Sequence, residues 1–277
     1  MTVVAMIMIA LFACYLFLIC PALRRHGDRV LMKGMYVAHR GLHSAEMGAP
    51  ENTMNAFLLA KKLGFCIETD IHLTRDGAVV VYHDDTTGRL CEKDISIENS
   101  TLAELKALHI AGTDQQIPTL QEVLDLVDGE VPLLIEFKCV YGNGVALCTA
   151  AEKILSNYHG KYMIQSFYPP VLGWYRRHRK DICRGQLSRN FLVHKKKDRT
   201  VVNILAGWLL FNFIGRPDFI SYDIGDTGSL ALGVSKLLGA MPVGWTVRSD
   251  EQLAAAQLVF DTYIFEHILP AQPYDDL

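Results

Sequence analysis

Ile67-Glu68-Thr69-Asp70, then Thr74-Arg75-Asp76-Gly77, then Val79-Val80-Val81-Tyr82-His83-Asp84 form a pattern of apolar runs that end in charged residues. Glu68 and Asp70 lie two apart, so on a β-strand both carboxylates face the same side. A strand offers oxygen ligands to a hard cation such as Mg²⁺ or Ca²⁺ in this way. Thr74 to Gly77 reads as a tight turn, with Asp-Gly supplying positive φ. His83 ends a further apolar run and brings an imidazole. Upstream, Val37-Ala38-His39-Arg40-Gly41 suits a strand whose tip delivers a base and a phosphate clamp. Downstream, Glu136 and Lys138 alternate on one strand face, adding a third carboxylate for the cation and an ammonium facing the phosphate. These parts suit cleavage of a phosphate ester.

Working outward, strands are expected at 36–38, 65–71, 78–82, 132–137, 162–165, 182–187, 219–222, 243–246 and 262–265. Helical spacing falls between them at 52–63, 102–108, 120–127, 145–155, 171–178, 229–238 and 251–257, with Asn52 or Thr53 as the first cap. Strands alternating with helices imply a parallel sheet. His39, Glu68 with Asp70, His83 and Glu136 then sit at carboxyl ends of successive strands, where a (β/α)8 barrel of TIM type keeps its active site. Nine strand candidates are one too many: either 262–265 is peripheral or one of the earlier strand assignments is wrong.

The ordered set His39-Arg40-Gly41, Pro50-Glu51-Asn52-Thr53, Glu68-x-Asp70, Thr74-x-Asp76-Gly77, His83-Asp84, Ile117-Pro118-Thr119-Leu120, Ile135-Glu136-Phe137-Lys138, Gln165-Ser166-Phe167 and Trp245-Thr246-Val247 resembles the glycerophosphodiester phosphodiesterases, over roughly residues 35 to 268. The resemblance implies a divalent cation held by Glu68, Asp70 and Glu136, with His39 and His83 as the acid–base pair. Arg40, Lys138 and Trp245 are the candidate substrate contacts: a bidentate phosphate clamp, a charge facing the phosphate and an apolar wall. The implied reaction is hydrolysis of a glycerophosphodiester to sn-glycerol 3-phosphate and an alcohol. The attacking oxygen is left open between water and a substrate hydroxyl. The rivals are a lysophospholipase D or phospholipase D acting on membrane lipid, and an inactive barrel that binds such molecules.

The chain has 277 residues, half of them hydrophobic, and a net charge of −3. That allows a large core, and nothing global points to nucleic acid. Seven cysteines include no Cys-x-x-Cys, so buried free thiols in a reducing compartment are expected. Thr2 to Leu23 carries no charged side chain, enough to cross a bilayer as a helix. Arg24, Arg25, Arg29 and Lys33 follow it, which places the catalytic domain on the cytoplasmic side of a cell membrane. The expected organisation is a transmembrane helix at 1–23, a linker at 24–34 and a barrel at 35–277 with an apolar insertion at about 198–216. Within that insertion 201–214 follows Lys195-Lys196-Lys197-Asp198-Arg199 and is too short to span. Its apolar character all round suits in-plane contact with the membrane, alongside residues 3–23.

Overall fold

The computed structural model describes residues 2–22, 27–140, 142–192 and 200–271. The chain runs α1 (Thr2–Ile19), α2 (Arg29–Met32), β1 (Tyr36–Ala38), α3 (Met54–Lys62), β2 (Cys66–Leu73), β3 (Val79–Val81), α4 (Leu102–Lys106), α5 (Leu120–Val127), β4 (Leu133–Phe137) and α6 (Gly144–Leu155). It continues with β5 (Tyr162–Ser166), α7 (Pro169–His178), β6 (Arg184–Ser188), α8 (Val201–Gly207), α9 (Asn212–Gly215), β7 (Phe219–Asp223), α10 (Leu230–Leu237), β8 (Met241–Val247), α11 (Asp250–Ala256) and β9 (Thr262–Phe265).

Eight of these strands form a closed parallel barrel, in the order β1-β9-β8-β7-β6-β5-β4-β2 with β1 pairing back onto β2. The expected barrel is therefore present, and 262–265 is one of its staves. The surplus strand is β3, which pairs antiparallel with the end of β2, Ile71 opposite Val81. β2 is eight residues long and overshoots the barrel rim. The turn at Asp76-Gly77 sends the chain back, so His83 reaches the rim from above rather than from the end of a stave.

Period-two alternation sorts the side chains. One face of each strand packs on the helices in the main core, with Ile67, Ile71, Leu133, Ile135 and Phe137. The other faces inward and builds a second cluster of Val37, Cys66, Leu134, Met163, Cys183, Phe219 and Ile264. Met32 of α2, fully buried, joins that inner cluster. Two residues further along the same inward face come His39, Glu68, Glu136, Gln165 and Glu266. Apolar packing thus fills the barrel interior, and charge is confined to one end.

Thr53 caps α3 through the Ala56 amide, and α4 and α5 each begin with a complete capping box, Thr101 with Glu104 and Thr119 with Glu122. Gly41 has φ +79°, and a Cβ there would meet the Ala56 backbone at 2.8 Å. The glycine lets α3 approach the loop that carries His39 and Arg40.

Two expectations change. Among the described residues no helix is long and apolar enough to cross a membrane. α1 has 18 residues, about 27 Å at 1.5 Å per residue, against a hydrocarbon layer of roughly 30 Å. Its carboxyl end is tied to the barrel: Asn212 Nδ2 donates to Ile19 O at 3.1 Å, and Arg216 donates to Phe17 O at 2.7 Å and Cys20 O at 2.8 Å. The 201–214 stretch is two short helices, α8 and α9, because Leu209 turns into the left-handed region (φ +60°) and buries its side chain. The basic run at 195–199 lies outside the described residues. All seven cysteines are free thiols, with Cys66, Cys148 and Cys183 buried and Cys14 exposed.

Candidate active site

Asp70 of β2 and Glu136 of β4 stand side by side in the sheet register, and Glu68 lies one inward position below Asp70. The three carboxylates are buried, and one oxygen from each falls within 4.8 Å of the others. Three negative charges this close, removed from water, raise one another's proton affinity. Burial pushes Glu68 well up, reinforced by Asp70 and Glu136, and burial raises Glu136 too. Asp70 goes the other way despite burial, because Lys138, His83, Arg40 and His39 hold it ionised. The donor set is all hard oxygen, and its three acids stand beside the cations Lys138 and Arg40. It therefore fits a divalent ion such as Mg²⁺ or Ca²⁺.

Lys138 Nζ lies 2.8 Å from Glu136 Oε1 and 3.1 Å from Asp70 Oδ1. Burial opposes its charge, but Asp70 and Glu136 more than compensate and keep it protonated. It faces the carboxylates, and so positions the acids as well as adding charge to the pocket.

Arg40 adopts φ +57°, which turns its amide onto Glu68 Oε2 at 3.1 Å. Its guanidinium donates to Glu51 Oε1 at 2.7 Å and holds Nε 3.5 Å from Asp70 Oδ2. Asn52 donates to Asp70 Oδ2 at 2.9 Å and accepts from Thr69 Oγ1 at 3.2 Å. Glu51 also receives both terminal nitrogens of Arg89, at 2.6 and 2.9 Å. Burial raises the Glu51 carboxyl, but the hydrogen bonds from Arg89 and the charge of Arg40 bring it down to about 2. The Pro50-Glu51-Asn52-Thr53 loop thus braces the acids and Arg40.

Both histidines have the same support. His39 Nδ1 meets Glu266 Oε2 at 2.5 Å, and Arg248 Nε donates to Glu266 Oε1 at 2.6 Å. His83 Nδ1 meets Asp84 Oδ1 at 2.5 Å, and Arg89 Nε donates to Asp84 Oδ2 at 2.5 Å. Each imidazole is held through Nδ1 by a carboxylate that an arginine holds in turn. This fixes the tautomer and leaves Nε2 for chemistry. Burial pushes the His39 imidazole down to about 4, against the pull of Glu266, so it is neutral near pH 7 with a basic Nε2.

His39, Arg40, Glu68, His83, Glu136, Lys138, Gln165, Phe167, Trp245 and Arg248 line one cavity of about 120 Å³ at this end of the barrel. Trp245 packs edge-on to Phe167 at 5.8 Å, and its Nε1 is a buried donor with no acceptor among the described residues. Seven of the eight residues singled out from the sequence line this cavity, and the eighth, Asp70, lies behind them in ion pairs with Lys138 and Arg40. Three supporting residues were missed. Glu266 and Arg248 follow β9 and β8, and the alternation Ile264–Glu266 carries the signal that places Glu266 on the inward face. Arg89 lies in the irregular 84–118 stretch, where no periodicity marks it. His72 is fully buried beside the backbone of His83.

The pattern that defines the glycerophosphoryl diester phosphodiesterase family matches residues 39–210. This chain belongs to that family. Family relatives include a glycerophosphodiester phosphodiesterase of Caldanaerobacter subterraneus, 36% identical over 151 residues that cover 49% of this chain and 59% of the relative. Glycerophosphodiester phosphodiesterase 1 of Homo sapiens is 26% identical over 254 residues, 78% of this chain and 72% of the relative. The chain spans about half the length of the first curated relatives it matches. Among solved structures, a phosphodiesterase of Oleispira antarctica in complex with the product sn-glycerol-3-phosphate superposes with a TM-score of 0.69 at 23% identity, covering 86% of this chain and 94% of that one. That likeness shows the family's barrel fold.

Proposed function

We propose that this chain hydrolyses glycerophosphodiesters to sn-glycerol 3-phosphate and an alcohol. The observation that carries this reading is convergence: a buried cluster of three carboxylates, an arginine and two carboxylate-braced imidazoles meet at one cavity at one end of the barrel. A divalent cation held by Glu68, Asp70 and Glu136 would polarise the phosphoryl oxygens and offset charge that grows on them. Arg40 and the donor of Trp245 hold and orient the phosphate and its alcohol. His39, neutral and fixed by Glu266, takes the proton of the attacking oxygen at Nε2. His83, fixed by Asp84, gives a proton to the departing alkoxide. Such transfers contribute roughly 10²–10⁴-fold each.

The reading extends to a membrane surface. Val3, Val4, Ile7, Met8, Leu11 and Phe12 of α1 and Val201, Val202, Leu205 and Trp208 at α8 are exposed. Apolar area of that kind on two helices supports association with a bilayer surface. The test of the activity is release of sn-glycerol 3-phosphate from glycerophosphocholine with Mg²⁺, Ca²⁺ or chelator. An inactive binding barrel would bind the diester and release nothing.

A further inference from the structure

A second and larger cavity, about 550 Å³, opens off the catalytic one. It shares His83, Phe167 and Trp245 with the catalytic cavity, and His39 lines the catalytic cavity alone. Its walls are otherwise Tyr168, Pro169 and Pro170 at the start of α7, Phe191, and Val202, Ala206, Phe211 and Ile214 from the α8–α9 arm; Arg189 and Asn203 are its polar members. The volume is in the range that encloses most of a drug-sized ligand. The lining is mostly apolar, and Val202, one of its members, is exposed. An apolar groove that joins a phosphate-cleaving pocket on the side of one histidine suits an amphiphile: its phosphate sits among the charges and its hydrocarbon lies in the groove.

Resting on the phosphodiesterase reading, we propose that the groove takes a long aliphatic chain on the alcohol that leaves. The preferred substrate is then a glycerophosphodiester of a lipid-like alcohol rather than of a small polar head group. The side is set by His83, which protonates the departing oxygen and stands at the junction of the two cavities. Chain carbons beyond that oxygen pass over the packed Phe167–Trp245 pair, which walls both cavities, and run along α8. The products would be sn-glycerol 3-phosphate, which leaves through the polar mouth, and a free long-chain alcohol, with the proton from His83 on its oxygen and water's hydroxyl on phosphorus.

The test is a series of sn-glycero-3-phospho-n-alkanols, butyl to decyl, below their micelle concentrations, with 1-butanoyl- and 1-octanoyl-glycerophosphocholine as comparators that carry their chain on glycerol. Each methylene buried in such a groove tightens binding by roughly fourfold. The expected result is a KM that falls at least about tenfold from butyl to decyl while kcat changes little. V202E, at a position 62% exposed, and A206W, which fills the groove, should each flatten that slope. A flat series in the wild-type protein overturns the proposal, as does a chain-length effect confined to acyl chains on glycerol. Equilibrium dialysis of the same esters in chelator reads chain length without turnover. Binding that tightens with length supports the groove even if no ester is cleaved. Length-independent binding overturns it even if glycerophosphocholine is hydrolysed.

Discussion

Glu266 meets His39 at 2.5 Å across 227 positions of sequence. The contact holds the imidazole in one tautomer and aims it into the pocket. E266Q keeps the shape and loses the charge-assisted contact, so kcat should drop roughly 10²-fold or more with KM changed little, the pattern of a base left in the wrong tautomer. Thermal unfolding should show that the barrel stays folded. Steady-state kinetics on glycerophosphocholine check it.

The matching pair on the other side is more exposed, with His83 and Asp84 side chains about 30% accessible. Water can partly replace Asp84, so D84N should cost less, about tenfold in kcat. R89A removes the cation shared by Asp84 and Glu51 and should cost at least as much as D84N. Combining D84N with R89A should add little, since both act through His83.

The pH dependence has a definite sign. Burial lowers His39 to about 4 from 6.5, so the neutral base persists to mildly acidic pH. The acid limb of kcat/KM should lie well below 6.5. Glu266 opposes that depression, so residual activity of E266Q should show its acid limb lower still. The same shift bears on stability: below pH 6.5 the unfolded chain takes up a proton that folded His39 refuses, so this group favours unfolding progressively from 6.5 down to about 4. Unfolding of the wild type and H39Q at pH 7 and pH 5 measures it: the wild type should lose more stability between the two.

The acidic cluster predicts opposite effects with and without metal. E68Q removes one of three crowded carboxylates, and Glu68 is the one that burial and its neighbours push furthest up. In chelator E68Q should be as stable as the wild type or more so. At a hundredfold excess over Kd, Mg²⁺ or Ca²⁺ should stabilise the wild type by about 2.7 kcal/mol and E68Q far less. Thermal shift with and without chelator reads both signs.

If α1 meets a bilayer through its exposed face, I7K with F12K in the full chain should abolish co-flotation with anionic vesicles while glycerophosphocholine hydrolysis continues at the wild-type rate. Unchanged flotation would remove the membrane reading.

The barrel and the convergence of the charged residues at one end were legible because alternation fixes facing: Glu68 with Asp70, and Glu136 with Lys138, share a side wherever strands run. What alternation cannot show is where a strand goes. β3 has the same apolar pattern as a stave, yet the Asp76-Gly77 turn folds it back on β2, and His83 reaches the rim by a route no spacing reveals. Glu266 belongs to a pair that closes the barrel, β9 beside β1, and its partner His39 lies at the far end of the sequence. Leu209 breaks the 201–214 stretch through a backbone conformation that its apolar side chain does not signal. His72 is buried because the β2 overshoot is covered, a tertiary effect invisible to local polarity.

Release of sn-glycerol 3-phosphate from glycerophosphocholine, followed for the wild type, H39A and D70N with Mg²⁺ or Ca²⁺ and with chelator, tests the central claim most directly. Turnover should need the cation, vanish in chelator and D70N, and fall roughly 10²–10⁴-fold in a folded H39A. Full turnover in chelator, or a folded H39A as fast as the wild type, would contradict a pocket in which buried carboxylates and two braced imidazoles act together.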